Sequence, residues 1–177
     1  PREQKKHEAA LSRLWTLLWD AGLAAGHAVR SVAQSVDAAR ADIATLTSLL
    51  ELRMLAGDAA GRDRLAAAIT PKVLWPPAKY FEAKREEERA RHARYNDTAD
   101  NLEPNLKEGP GGLRDLHTVT WMGMRLYGVA GLRALVPLGL LGADECASLE
   151  QRWAEIARLR FGLHLVAGRR EERLLFD

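Results

Sequence analysis

The chain has 177 residues, is 47% hydrophobic and 28% charged, and carries 26 Lys plus Arg against 24 Asp plus Glu, a formal charge of +2. That composition excludes a disordered tail, and the even balance gives no global electrostatic reason to bind nucleic acid or an anionic membrane. Its single cysteine, Cys146, excludes an intrachain disulfide and a cysteine-built metal site, and fits a reducing cytoplasm. No apolar run approaches the ~20 residues of a membrane span. Pro1-Arg2-Glu3 is no signal peptide, and with no initiating Met the expectation is a piece of something larger.

Ala, Leu, Arg and Glu dominate and β-branched residues are sparse, which favours helix. Residues 7–20 place Leu11, Leu14, Trp15 and Leu18 on one helical face, and Gly22 stops the helix. The short stretch 23–32, with Val29 and Val32, reads as a strand in a helix–Gly–segment–helix order. A longer helix is expected over 35–56, with Val36, Ala39, Ile43, Leu46, Leu50 and Leu55 near helical spacing and Gly57-Asp58 as its end. A short helix over 62–69 meets Pro71, and Trp75-Pro76-Pro77 breaks the chain. Residues 79–94 alternate acids and bases at i, i+3 and i+4, the pattern of an exposed helix.

Residues 95–112 are too rich in turn formers for a regular helix: Asn96-Asp97, Asn101, Pro104-Asn105, Gly109-Pro110 and Gly111-Gly112. Leu116, Val119, Trp121, Met124 and Leu126 then mark a helix over 113–127. A connector with a short apolar turn covers 128–142, and a last helix over 143–167 carries Leu149, Trp153, Ile156, Leu159, Leu163 and Val166 on one face. Trp15, Trp19, Trp121 and Trp153, at helical spacing, read as core. There are no tandem repeats.

The loop before residue 113 is where chemistry concentrates. Gly111 and Gly112 just ahead of a helix let the backbone approach a ligand and leave amides pointing outward, a setting that attracts phosphate. Lys107 and Arg114 stand on either side to bracket the same anion. The plainer reading keeps Gly111-Gly112 as a turn, with Arg114 in a salt bridge and Asp115 serving the helix start. His27 reads as structural; His117 and His164 have no second ligand at zinc spacing. Asp42 and Glu51 are solvated helix carboxylates or, less simply, oxygen ligands for magnesium.

Tyr95-Asn96-Asp97-Thr98 and the run from Asn101 through Leu102-Glu103-Pro104-Asn105-Leu106-Lys107-Glu108-Gly109-Pro110-Gly111-Gly112-Leu113-Arg114-Asp115-Leu116 resemble the signature of the bifunctional PII uridylyltransferase/uridylyl-removing enzymes. Leu18-Trp19-Asp20-Ala21-Gly22-Leu23 with Gly26-His27, Leu49-Leu50-Glu51-Leu52-Arg53 with Gly57-Asp58, and Arg160-Phe161-Gly162-Leu163-His164 with Arg173-Leu174-Leu175-Phe176-Asp177 are similar to other stretches of that family. The resemblance implies a polymerase-β-type nucleotidyltransferase that moves UMP from UTP onto a tyrosine of the PII signalling protein with magnesium. Two departures stand out: the chain has no Asp-x-Asp and no adjacent His-Asp pair. The metal-binding strand motif and the hydrolase dyad of that family are therefore missing, and the piece is expected to be inactive alone.

The resulting expectation is a mainly α chain: residues 1–70 as the C-terminal remnant of an α/β nucleotidyltransferase domain, and 71–177 as a helical substrate-binding domain. Lys107, Gly111, Gly112, Arg114 and Asp115 are the expected nucleotide or substrate contacts, Asp115 as an orienter of Arg114 or a helix-end residue. Asp42 or Glu51 is the candidate third carboxylate. UTP and PII are the expected partners, with no nucleic acid and no membrane. The alternatives are a glutamine-synthetase adenylyltransferase piece, which shares the Lys-x-Gly-x-Gly-Gly-x-Arg-Asp pattern, and a non-catalytic helical interaction module.

Overall fold

Apolar residues at helical spacing fold the chain into α1 (Arg2–Asp20), α2 (Val32–Ala41), α3 (Ile43–Leu50), α4 (Ala59–Ala68), α5 (Pro77–Ala93), α6 (Leu113–Met122) and α7 (Ala143–Ala167). The computed structural model describes residues 2–23 and 25–175, so Pro1, Ala24, Phe176 and Asp177 of the stretches discussed above lie outside the described residues. None of its helices is long and apolar enough to cross a membrane.

The strand expected over 23–32 is not there. The described residues of that stretch are irregular until Val32 opens α2, and no strand occurs among the described residues. A strand needs a neighbour to complete its hydrogen bonds; here Ser31 instead forms a capping box with Gln34 that starts a helix. His27 is exposed and stacks on Trp15 at 4.3 Å between ring centroids. Of the four tryptophans read as core, Trp121 is buried and Trp15 and Trp153 are half-buried, but Trp19 stands 51% exposed.

The helix expected over 35–56 is two helices. Asp42 leaves helical geometry at φ −138°, ψ 119°, and its carboxylate accepts from the amides of Ala44 at 3.1 Å and Thr45 at 2.8 Å. An aspartate that caps the next helix does so at the expense of continuing the previous one. The second helix ends at Leu50, with Glu51 as its cap. The helix expected over 113–127 also changes character: α6 passes into a π-helical turn, Gly123–Tyr127.

Two apolar clusters organise the fold. Ala39, Leu46, Ile69, Leu74 and Tyr80 form the first, with Leu126 packed on it from the π turn. Leu132 and Leu135 of a 3-10 turn and Cys146 of α7 form the second, with Leu116 and Trp153 against them. Arg125 joins the elements at the first cluster. Only 2% exposed, it donates from Nη1 to the Ile69 carbonyl at 2.6 Å, from Nε to Trp75 at 3.1 Å, and from Nη2 to Thr70 at 3.4 Å and to Leu74. These carbonyls belong to the end of α4 and the turn after it, where backbone acceptors lack helical partners. Trp75, held at φ +43°, donates its indole N–H to the Ala39 carbonyl at 2.8 Å, so the same turn is fastened to α2.

Candidate functional site: a charged cleft at the glycine loop

The helix α5 is not the fully exposed helix its charge pattern suggests. Tyr80, Lys84 and Arg91 lie at i, i+4 and i+11 and are buried together on one face. Lys84, 2% exposed, places Nζ 4.8 Å from the centre of the Trp121 ring and 2.7 Å from Glu87. Facing it, Arg114 lies 5.4 Å from the same ring. Between α3, α5 and the glycine loop opens a cleft of about 360 Å³, lined among others by Glu51, Lys84, Arg91, Arg94, Arg114 and Trp121. Lys84, Arg91 and Arg94 are functional candidates the sequence reading missed. The signal available was the spacing of large side chains within the charged run.

The glycine loop follows the plainer of its two readings, a turn with Arg114 in a salt bridge. Asn105 Oδ1 accepts from the amides of Lys107 at 3.1 Å and Glu108 at 2.7 Å and folds 105–109 into a turn. The amide of Gly111 donates to Asp115 Oδ2 at 2.8 Å, that of Gly112 to the Gly109 carbonyl at 2.9 Å, that of Leu113 to Leu106 at 3.1 Å and that of Arg114 to Lys107 at 2.8 Å. The start of α6 therefore spends its amides on the chain itself, and no cradle of outward N–H groups forms. Gly112 is glycine because a Cβ there would meet the carbonyl oxygens of Gly109 at 2.8 Å, Lys107 at 2.9 Å and Leu106 at 3.0 Å. Gly111 is glycine because its φ is +76°. What the loop offers a ligand is its side chains.

Those side chains form two ion clusters. Glu108 accepts from Arg114 Nη2 at 2.9 Å and pairs with Lys107 Nζ at 3.3 Å. Burial pushes the Glu108 carboxyl up, but these two cations together hold it below its ordinary value. Asp115 does not orient Arg114. It accepts from the Arg91 guanidinium and from His92 Nε2 at 3.0 Å, while Arg91 Nη1 donates to the Glu108 carbonyl at 2.8 Å. Burial again pushes the Asp115 carboxyl up, and the bonds from Arg91, His92 and the Gly111 amide outweigh it and leave it lowered. His117 sits between Trp121 at 5.7 Å and Trp153 at 5.3 Å, and burial, helped by Arg114, pushes its imidazole down.

These lowered carboxyls fix the sign of an acid dependence. A folded carboxyl held below its unfolded value stabilises the fold above the unfolded value, and that contribution is lost as pH falls through the folded one. Denaturant titrations taken downward from about pH 5 should show stability falling, and Asp115→Asn should remove part of that slope. An unchanged slope in the variant would show that the Arg91–Asp115 contact does not contribute.

The two candidate third carboxylates separate. Asp42 caps α3, also accepts from Thr45 Oγ1 at 2.6 Å, and is not among the cleft residues. Its hydrogen bonds from Thr45, side chain first and then amide, lower its carboxyl. Glu51 does line the cleft, where Oε1 accepts from Trp121 Nε1 at 2.9 Å. Glu88, His92 and Asp115 bring ligand atoms within 4.8 Å of one another, a potential metal-ligating triad. It does not fit magnesium well: that ion prefers oxygen ligands, one donor here is an imidazole, and the Arg91 guanidinium already lies against Asp115. The cleft carboxylates are also engaged, Glu87 by Lys84, Glu108 by Arg114 and Glu51 by Trp121.

The family model described as GlnD PII-uridylyltransferase matches residues 79–177, which include α5, the glycine loop and α7. The chain belongs to the PII-uridylyltransferase family. It is 60% identical over 174 residues to a bifunctional uridylyltransferase/uridylyl-removing enzyme of Xanthomonas campestris pv. campestris, covering 98% of this chain and 20% of the relative. It is 59% identical over 174 residues to the same enzyme of Xanthomonas axonopodis pv. citri, with the same coverage. Against that of Pseudomonas aeruginosa it is 45% identical over 175 residues, covering 99% of this chain and 19% of the relative. The chain thus spans about a fifth of the length of the curated relatives it matches. No solved structure matches it. The family match favours the uridylyltransferase reading of the Lys107 to Asp115 motif over the adenylyltransferase alternative.

Proposed function

We propose that this chain is the part of a PII uridylyltransferase that forms one wall of its nucleotide site, in an enzyme that transfers UMP from UTP to a tyrosine hydroxyl of PII. The observation that carries this reading is the convergence of Lys84, Arg91, Arg94 and Arg114 on one cleft beside the glycine loop. Arg94 is exposed and forms no ion pair with a described residue, leaving its guanidinium for an incoming anion. Arg114 has its Nε and Nη2 engaged by Glu108 and its guanidinium over the Trp121 ring, which leaves Nη1 for a phosphate oxygen. Lys107, beside it, adds a second positive charge to the same loop.

In this reading the cleft binds and orients the triphosphate. The tyrosine oxygen forms the new bond to the α-phosphorus as pyrophosphate leaves. Because the described residues make no fitting magnesium site, we assign the metal ligands and the transfer step to other parts of the enzyme and expect the chain to be inactive by itself. Residues 1–70 are the remnant of the catalytic domain and 71–177 the helical domain behind it, a division that the family match from residue 79 supports. A cytoplasmic setting suits the buried free thiol of Cys146.

In the full-length enzyme, Arg114→Ala is expected to raise the KM for UTP by about tenfold or more, the size of one lost charge-assisted hydrogen bond. Steady-state kinetics check it. Unchanged UTP kinetics in both Arg114→Ala and Lys107→Ala would overturn the reading.

A further inference from the structure

The segment that leaves α7 turns back to the glycine loop. Leu106 donates its amide to the Glu172 carbonyl at 2.9 Å and Leu174 donates to the Pro104 carbonyl at 3.0 Å, which pairs Asn105 with Arg173 in an antiparallel bridge. The Glu172 side chain points back to α7, where Arg160 donates from Nε at 2.5 Å and from Nη2 at 2.6 Å. Arg170 Nε adds a third bond at 3.0 Å, and His164 Nε2 lies 3.9 Å away. The Arg160 bonds, against the opposing effect of burial, pull the Glu172 carboxyl down to about 2. Glu172 and Arg160 form a fork-to-fork pair.

This pair reaches the cleft without lining it. Glu172 carries the carbonyl that receives the Leu106 amide, and Asn105, next to Leu106, holds the amides of Lys107 and Glu108. Glu108 in turn holds Arg114. We propose that Glu172, clamped by Arg160, is a positioning residue that fixes the 104–108 turn and through it sets Lys107 and Arg114 against the nucleotide phosphates. The nucleotide half of this statement rests on the proposed function above; the strap itself does not.

The test is Glu172→Gln in the full-length enzyme, an isosteric change that removes the charge. Two readouts are taken, amide hydrogen exchange at Leu106 and Leu174 and steady-state UTP kinetics. Exchange at both amides should speed up by about tenfold, and the KM for UTP should rise by about fivefold while kcat holds. Arg160→Lys, which keeps the charge but loses the fork, should fall between the parent and Glu172→Gln in both readouts. Exchange as slow as in the parent overturns the strap, and faster exchange with an unchanged KM overturns its positioning role. If Arg114→Ala itself leaves UTP kinetics unchanged, the nucleotide reading fails and takes the positioning role with it, while the exchange data still decide the strap.

Discussion

Arg125→Met is expected to destabilise the fold by about 3–5 kcal/mol, because it takes the guanidinium donors away from the Ile69, Leu74 and Trp75 carbonyls, while the Thr70 carbonyl keeps the amides of Val73 and Leu74. The guanidinium donates to the carbonyls of Ile69, Thr70, Leu74 and Trp75, and all four follow or end α4. Methionine fills much of the same volume, so the loss reports hydrogen bonding and not a cavity. Arg125→Lys should recover only part of the loss, since an ammonium cannot present a planar fork to acceptors on two sides. Chemical denaturation gives the free energy, and for a chain of this size a melting temperature lower by roughly 10 °C is the matching thermal signature. A loss below about 1 kcal/mol would mean that water or other donors satisfy these carbonyls as well.

Gly112→Ala is expected to cost about 2–3 kcal/mol, the scale of forced overpacking. Its new methyl would meet carbonyl oxygens of Leu106, Lys107 and Gly109, all within 3.0 Å of the Cβ position and all backbone, which cannot swing aside. Gly111→Ala is the instructive comparison. Nothing lies within 4 Å of its Cβ position, and only the left-handed φ of +76° is strained, so about 1 kcal/mol is expected. If Gly112 existed to let a ligand approach, Gly112→Ala would keep its stability and lose only binding, while Gly111→Ala would still lose the cost of its φ. Thermal melts without nucleotide therefore separate the two explanations, and a negligible loss in Gly112→Ala would reject the packing role.

Helix position was largely legible in the sequence. Apolar periodicity places α7 at its observed bounds, and the break at Pro76-Pro77 begins α5. The misreadings share a cause. Apolar spacing runs past Asp42 and hides it inside one helix, although an Asp two residues before an Ala-Thr pair is also a cap. The stretch 23–32 looked like a strand by position in an order of elements, without a partner to bond. The charge pattern puts Lys84 in solvent with its neighbours, whereas its burial depends on Trp121, far away in the chain. Arg125 offered no clue at all, since its acceptors lie about fifty residues earlier.

The candidate site divides the same way. Lys107 and Arg114 were found from the motif and do belong to one ion cluster with Glu108. Their glycines were found too, with two readings left open, because residue type shows that a backbone position is special and not whether a ligand or the chain's own carbonyls make it so. The pairing of Asp115 with Arg91 and His92 joins two segments that only the fold brings together.

The left-handed pair Asn96 and Asp97 and the 83% exposed Leu102 put a protease-accessible tip between α5 and the loop. A nick in that tip would leave two fragments, yet the Arg125 clamp, the Arg91–Asp115 contact and the Lys84–Trp121 stack all cross the cut. The severed halves would remain a complex, held by the same contacts that keep the cleft walls together.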